Sequence, residues 1–300
     1  MTDTSLDTIL GAELDSDEPG RSKIKDGLGR LRRNHMAVAG MVIVGLIVLA
    51  CALGPYLVPF DPENQDYSAI STGPSFASGH LFGTDDLGRD VLIRVLLGGR
   101  TSLAIGILAS IVAVVIGTSY GAIAGFAGGA VDQFMMRFVD VLYGLPFLFF
   151  VIMLTMVFGQ GILSILIAIG SLIWLTVAVI VRGQTLSLKQ KEFIEAARAG
   201  GMKPLSIVRR HIVPNTIGPV IVYASLLVPE VILGESFLSY LGLGVQEPAS
   251  SWGTLIAAGA PAMEQEPYQL LFPGGALALT LFSLNFIADG LRDAFDPKDR

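Results

Sequence analysis

Long runs of apolar residues alternate with shorter polar stretches along most of this 300-residue chain. Each run is about 20 residues long, which is what an α-helix needs to cross about 30 Å of hydrocarbon at 1.5 Å per residue. A helix is the only spanning structure that this pattern allows, because it satisfies its backbone polar groups within the segment. The sequence predicts six spans, at residues 36–58, 102–124, 138–158, 161–181, 217–240 and 270–288.

The lysines and arginines between these runs predict the orientation of the chain, because cationic loops are retained on the cytoplasmic side. With the N-terminus inside, 17 of the 20 cations are cytoplasmic, and seven of these lie in the loop 182–215. Both termini are therefore predicted to be cytoplasmic. The predicted divisions are a cytoplasmic tail (1–35), a first span (36–58), an outer loop (59–101) and a core with five spans and the loop 182–215 (102–300).

The composition agrees with an all-α integral membrane protein. Hydrophobic residues make up 52% and charged residues 15% of the chain, and the mean hydropathy is +0.64, which leaves too little polar surface for a water-soluble globule. The formal net charge of −6 is concentrated in residues 1–20, where six acids and no cations predict a disordered tail. The single cysteine excludes an intrachain disulfide, and three histidines in separate segments predict no metal site.

The loop 182–215 carries a first amphipathic segment. Phe193, Ile194 and Ala197 recur at helical spacing and would share one face of a short helix. The pair Gly200-Gly201 follows directly, and glycine is the residue that most often ends a helix. A short helix ending at residue 200 is therefore predicted.

A second helix is predicted after it, because Pro204 suits the first turn of a helix. Leu205, Val208 and Ile212 would form its apolar face, opposite two arginines. Pro214 is predicted to end this helix. Together the two segments predict a rigid, charged helical hairpin on the cytoplasmic side.

The residues of this hairpin resemble a known pattern. Glu195-Ala196-Ala197, followed by Gly201 and Pro214, resembles the EAA motif of ABC importer permeases, Glu-Ala-Ala-x3-Gly-x9-Ile-x-Leu-Pro. His211 stands where the general motif has Ile, and Val213 where it has Leu. These departures are similar to the Arg-His-Ile-Leu-Pro-Asn variant of the peptide and nickel branch, because residues 210–215 read Arg-His-Ile-Val-Pro-Asn.

Other segments resemble the C-type second permease subunit of dipeptide and oligopeptide importers. They are residues 82–90, 137–140, 239–246 with 251–253, and 289–293 with 296–297. The resemblance runs from about residue 30 to the end of the chain. It implies the type I ABC importer permease fold in a prokaryotic cytoplasmic membrane.

The resemblance also implies function and partners. The hairpin would dock on a cytoplasmic ATPase, with coupling residues Glu195, Ala196, Ala197, Gly201, Arg210, His211, Pro214 and Asn215. The partners would be a homologous B-type permease, two ATPase subunits, an extracytoplasmic substrate-binding protein and the lipid bilayer, with no nucleic acid. The chain has no Gly-Lys dipeptide and thus no phosphate-binding loop, so ATP and magnesium would bind to the ATPase subunits and no cofactor to this chain.

Two acids lie inside the fifth predicted span, Glu230 and Glu235. An acid in an apolar span is costly and marks a cavity, a partner or a proton pathway, so both are candidates for the translocation pathway. Helix packing, or an interfacial position for Glu235, remains an alternative. Pro229 is predicted to break the helix beside them.

Three further features have both an intramolecular interpretation and an intermolecular one. Glycines at four-residue spacing (117, 121, 125 and 129) predict close packing within the chain or against a partner. Thr84, followed by two acids, has the pattern of a helix N-cap. Trp252 suits an interfacial anchor. The segments around Thr84 and Trp252 could instead contact the binding protein.

The transported cargo has several candidates. Dipeptides or oligopeptides lead, while nickel complexes, glutathione and other small solutes are alternatives with the same architecture. A proton-coupled secondary transporter is a further alternative, with Glu230, Glu235 or Asp140 as the proton relay. Six spans without an internal repeat, together with the docking hairpin, argue against it.

Overall fold

The computed structural model describes residues 23–61 and 65–295. The predicted disorder of residues 1–20 and the motif at 296–297 lie outside this part of the chain. The helices are α1 (Lys23–Leu31), α2 (His35–Leu57), α3 (Val91–Ala127), α4 (Gly129–Tyr143), α5 (Phe147–Phe158), α6 (Ile162–Leu188), α7 (Glu192–Ala199), α8 (Pro204–Ile207), a π-helical turn (Val208–Ile212), α9 (Val213–Tyr240), α10 (Trp252–Gly259) and α11 (Tyr268–Phe295).

Among the described residues, five helical segments are long and apolar enough to cross a membrane: α2, α3, α6, the segment from α8 through α9, and α11. The segment α3 is longer than predicted, because it begins at Val91 instead of residue 102. Its N-cap is Asp90, whose carboxylate accepts a 3.0 Å hydrogen bond from the backbone N–H of Ile93. The predicted N-cap role of Thr84 is therefore wrong. Its hydroxyl lies buried among loop residues and donates to the carbonyl of Ala69.

The third predicted span, 138–158, is not one continuous helix. The segment α4 ends at Tyr143, α5 begins at Phe147, and the two helices are bent by 88° at the break. Pro146 explains the bend, because its ring removes a backbone donor and restricts the residue before it. The part of the chain that the structure describes therefore has five candidate spans, or six when α4 and α5 are counted together.

The helix after the hairpin turn is longer than the sequence predicted. Pro214 does not end it, because the chain remains helical from Pro204 to Tyr240. The π-helical turn shifts the hydrogen bonds just before Pro214, and the N–H of Val213 donates to the carbonyl of Val208. The predicted break at Pro229 is also wrong, since α9 runs through it.

The packing of α3 against α6 forms the centre of the fold. Added Cβ atoms at Gly117, Gly121 and Gly125 would each lie under 3.0 Å from atoms of α6. Gly129 has no such neighbour within 4 Å. Three of the four glycines thus confirm the interpretation of packing within the chain, since only a hydrogen side chain allows the backbones to come this close.

Candidate coupling surface and translocation cavity

The hairpin of α7 and α8 is attached to the core by a small set of isoleucines. Ile194 on α7, Ile207 on α8 and Ile212 in the π-helical turn are each 0–1% exposed and belong to one apolar cluster. Leu205 does not join them, because it is 70% exposed, so the predicted apolar face of the second segment was partly wrong. Burial of the isoleucines holds the hairpin against the end of the helix bundle.

The opposite face of the hairpin carries the predicted coupling residues. Ala197 and His211 are half-buried, and the exposed ones are Glu195, Ala196, Gly201, Arg210, Pro214 and Asn215. Asn215 donates a 2.7 Å hydrogen bond to the carbonyl of His211, whose ring centroid lies 6.3 Å from that of Phe193 on α7. The structure therefore brings both halves of the motif onto one accessible surface.

The turn of the hairpin explains the glycine of the motif. Gly201 has φ +76°, a left-handed conformation that glycine adopts without steric cost. Its N–H donates to the carbonyl of Arg198 (2.9 Å), and the N–H of Met202 donates to that of Ala197 (3.1 Å). These two bonds form a Schellman motif that closes α7. No atom of the described residues lies within 4 Å of an added Cβ, so backbone conformation and not space requires glycine.

The sequence did not reveal two contacts near this region, one between the hairpin and the bundle and one between two helices of the bundle. The guanidinium of Arg198 lies 5.0 Å from the ring centroid of Phe126, the penultimate residue of α3. Arg182 on α6 donates two hydrogen bonds, 2.6 and 2.7 Å long, to the carboxylate of Asp132 on α4. An ion pair with two hydrogen bonds fixes the relative orientation of the guanidinium and the carboxylate as well as their distance. The one sequence signal for the ion pair was Arg182, which directly follows the apolar run 161–181.

A cavity of about 480 Å³ lies where the α4–α5 bend, α6 and α9 meet. Its lining residues are Leu142, Tyr143, Leu145, Phe147, Ile169, Leu172, Ile173, Leu175, Thr176, Glu230 and Gly234. Glu230 is exposed, and the hydroxyls of Tyr143 and Thr176 share a 2.9 Å hydrogen bond. The cavity is therefore an apolar cleft with one carboxylate in its wall.

Glu235 occupies a different environment from Glu230. It is completely buried, and its carboxylate accepts hydrogen bonds from Ser102 on α3 (2.9 Å) and from Ser239 (2.7 Å). The structure therefore does not bring the two predicted pathway acids together. Glu235 contributes to the packing of α9 against α3, and only Glu230 faces the cavity.

The segment before α3 and the segment after α9, both predicted to be extracytoplasmic, are joined by a group of ion pairs. Asp85 accepts hydrogen bonds from Arg89 (2.8 Å) and Arg94 (2.5 Å), and both arginines also contact Glu247, at 2.9 and 3.1 Å. Burial by itself would lower the pKa of Arg89, but the hydrogen bonds and charges of Asp85 and Glu247 raise it above its usual range. The group connects the chain around the start of α3 to the segment after α9.

Trp252 lies beside this group and is 1% exposed. Its indole N–H donates a 3.0 Å hydrogen bond to the carbonyl of Val95, and its backbone N–H donates to the hydroxyl of Ser102 at 3.2 Å. The interpretation of Trp252 as an interfacial anchor is wrong, because its ring is enclosed by protein.

These features define a helical membrane protein with an accessible hairpin and a cavity between its helices. Residues 117–300 match the family described as the binding-protein-dependent transport system inner membrane component. Residues 22–74 match the N-terminal transmembrane domain of oligopeptide transport permease C. The chain belongs to the family of binding-protein-dependent transport system inner membrane components.

Individual relatives are similar over nearly the whole chain. The oligopeptide transport system permease protein OppC of Escherichia coli K12 is 57% identical over 94% of this chain and 93% of its own length. OppC of Haemophilus influenzae is 53% identical over 94% and 90%. The dipeptide transport system permease protein DppC of Bacillus subtilis is 41% identical over 94% and 88%.

Proposed function

We propose that this chain is a permease subunit of an ATP-driven importer of oligopeptides. One structural observation carries the mechanism: an unbroken helical segment runs from Pro204 at the hairpin to Tyr240, and Glu230 on that segment lines the cavity. A displacement of the hairpin by an ATPase would therefore move a wall of the cavity directly. The similarity to permeases named for oligopeptides and dipeptides supports the cargo.

The proposed arrangement in the membrane has six spans and both termini in the cytoplasm. It counts α4 and α5 together as the third span. The distribution of cations supports the orientation, because the hairpin and both ends of the chain then lie on the side that carries 17 of the 20 lysines and arginines. The outer ion pairs would then face the extracytoplasmic binding protein.

The proposed assembly contains a homologous B-type permease, two cytoplasmic ATPase subunits and the binding protein. Glu195, Ala196 and Ala197 would contact the ATPase, and the small alanines would allow close approach. Gly201 would set the turn, while residues 210–215 would complete the docking surface. ATP and magnesium would bind to the ATPase subunits, so the hydrolytic step would take place outside this chain.

Uptake measurements test this proposal. Cells with and without this chain are supplied with radiolabelled di- and oligopeptides and, separately, with nickel, with and without ATP depletion. Loss of ATP-dependent peptide uptake alone is expected. Loss of nickel uptake alone would show that the chain belongs to an importer whose cargo is nickel and not peptides. Peptide uptake that survives loss of the ATPase and stops on addition of a proton uncoupler would instead establish a secondary transporter.

A further inference from the structure

Glu230 lies near the middle of the predicted fifth span, residues 217–240. It precedes Tyr240, the last residue of α9, by ten residues, or about 15 Å at 1.5 Å per residue. An ionised carboxylate at this depth is costly against lipid. Because the side chain is exposed in the isolated chain, the face that carries it must meet water or another polar group in the working transporter.

The space beside this carboxylate is open. Gly234 lies one helical turn after Glu230 on the same face of α9, and no atom in the described part of the chain comes within 4 Å of the position of an added Cβ. Tyr143 and Thr176 provide hydroxyls across the cavity, and the other lining residues are apolar. A ligand group can therefore approach Glu230 without displacing a side chain.

The charges of the cavity determine which group would bind there. Glu230 is the one charged residue among the described residues that line it, and none of them is a lysine or an arginine. A peptide carboxylate thus finds no cation on this wall, whereas an ammonium group finds a carboxylate acceptor. Hydrogen bonds between ionised partners are roughly twice as strong as those between neutral groups.

We infer that Glu230 binds the protonated α-amino group of the peptide cargo as the cargo crosses the membrane. The inference rests on the proposed function. The α-amino group is common to all peptides with a free N-terminus, so one carboxylate can serve cargoes of different sequence. The apolar walls contact varied side chains without selecting among them, because apolar contact is not directional.

Transport by the complete importer tests this role. The importer is reconstituted with its binding protein and ATP, and one tripeptide is supplied in three forms: with a free amine, with an N-methyl amine that stays cationic, and with a neutral N-acetyl group. Each form is used at a concentration that saturates the binding protein, so that loading is equal. Glu230→Gln should slow transport of the two cationic forms about tenfold and leave the acetylated form unchanged.

Matched variants separate charge from packing. Glu230→Asp should retain most of the preference for the cationic forms, because it keeps the carboxylate. Glu264→Gln removes an exposed acid in the segment between α10 and α11 and should change nothing. ATP hydrolysis stimulated by the loaded binding protein should persist in Glu230→Gln. If the ratio of the transport rates of the cationic and acetylated tripeptides is the same in Glu230→Gln as in the unmodified importer, the inference is overturned.

Protection of a nearby cysteine provides a test that does not involve the binding protein. Thr176→Cys should be labelled by a small thiol reagent, and the free-amine peptide should slow this labelling, while the acetylated peptide should not. The protection should disappear in the double variant Thr176→Cys/Glu230→Gln. Protection that is equal with and without Glu230 would refute the role. Absence of any ATP-dependent peptide uptake by the unmodified importer would instead refute the proposed function.

Discussion

Ser102 on α3 donates a 2.9 Å hydrogen bond to the fully buried carboxylate of Glu235 on α9. The same hydroxyl accepts a hydrogen bond from the backbone N–H of Trp252, at the first turn of α10. One serine thus joins three helices through polar groups that lie away from solvent. Buried polar groups of this kind stabilise a fold only while each has a partner.

Substitution of Glu235 tests this network. Glu235→Leu should lower the free energy of unfolding by about 1–3 kcal/mol, because it leaves buried hydroxyls without partners. Glu235→Gln should be milder, since its amide can still accept from one hydroxyl and donate to another. Thermal unfolding of the detergent-solubilised protein, followed by size-exclusion fluorescence, measures the difference. Equal melting temperatures for the leucine variant and the unmodified protein would show that the network adds no stability.

The ion pairs that Asp85 and Glu247 form with two arginines predict that substituting these two acids has unequal effects on stability. The Asp85 side chain is 9% exposed and contacts two arginines, whereas that of Glu247 is 62% exposed. Asp85→Asn should destabilise the chain by about 3–5 kcal/mol, because the two buried cations then keep only the exposed carboxylate of Glu247. Glu247→Gln should cost about 1 kcal/mol or less, as for an exposed pair. Melting temperatures of both variants check this order, and the reverse order would contradict it.

The exposed position of Glu195 predicts a loss of coupling without a loss of folding. Glu195→Lys should abolish peptide import while the subunit is still inserted at its normal level, because the side chain faces away from the core. Uptake and immunodetection of membrane fractions measure the two effects. Glu192→Lys, at the start of the same helix, is the control for added positive charge. Normal import by Glu195→Lys would show that Glu195 is not part of the docking surface.

The turn at Gly201 predicts a conformational requirement. Gly201→Val should distort the hairpin, because a branched side chain at φ +76° is strained by about 1–3 kcal/mol. Gly201→Asn should retain more import, since asparagine tolerates this region better than other residues with a side chain. The ratio of the two uptake rates is the measurement. Equal rates would mean that the turn conformation is not what import requires.

Cysteine labelling tests the proposed orientation against a low background, because the only cysteine, Cys51, is 4% exposed. Glu264→Cys should react with an impermeant maleimide in intact cells, and Glu192→Cys should react only after permeabilisation. The unmodified protein is the control and should stay unlabelled. The opposite pattern would reverse the topology.

The sequence by itself determined the helical class, the positions of most spans and the hairpin motif. These follow from properties that neighbouring residues share: the length of apolar runs, the spacing of small residues and the glycine at residue 201. A helix forms its hydrogen bonds within one segment, so its existence can be predicted locally. The glycine stripe was equally informative, because regular spacing places Gly117, Gly121 and Gly125 on one helix face.

Only the tertiary structure decided how prolines and charges are accommodated. Pro214 and Pro229 lie within a helix that continues, whereas the helix breaks by 88° just before Pro146, since the surroundings of each proline determine whether the lost hydrogen bond is replaced. Glu230 and Glu235 are five residues apart, yet one lines a cavity and the other is enclosed by serines. Their environments depend on α3 and α6, segments distant in the sequence, and local pattern contains no information about such contacts.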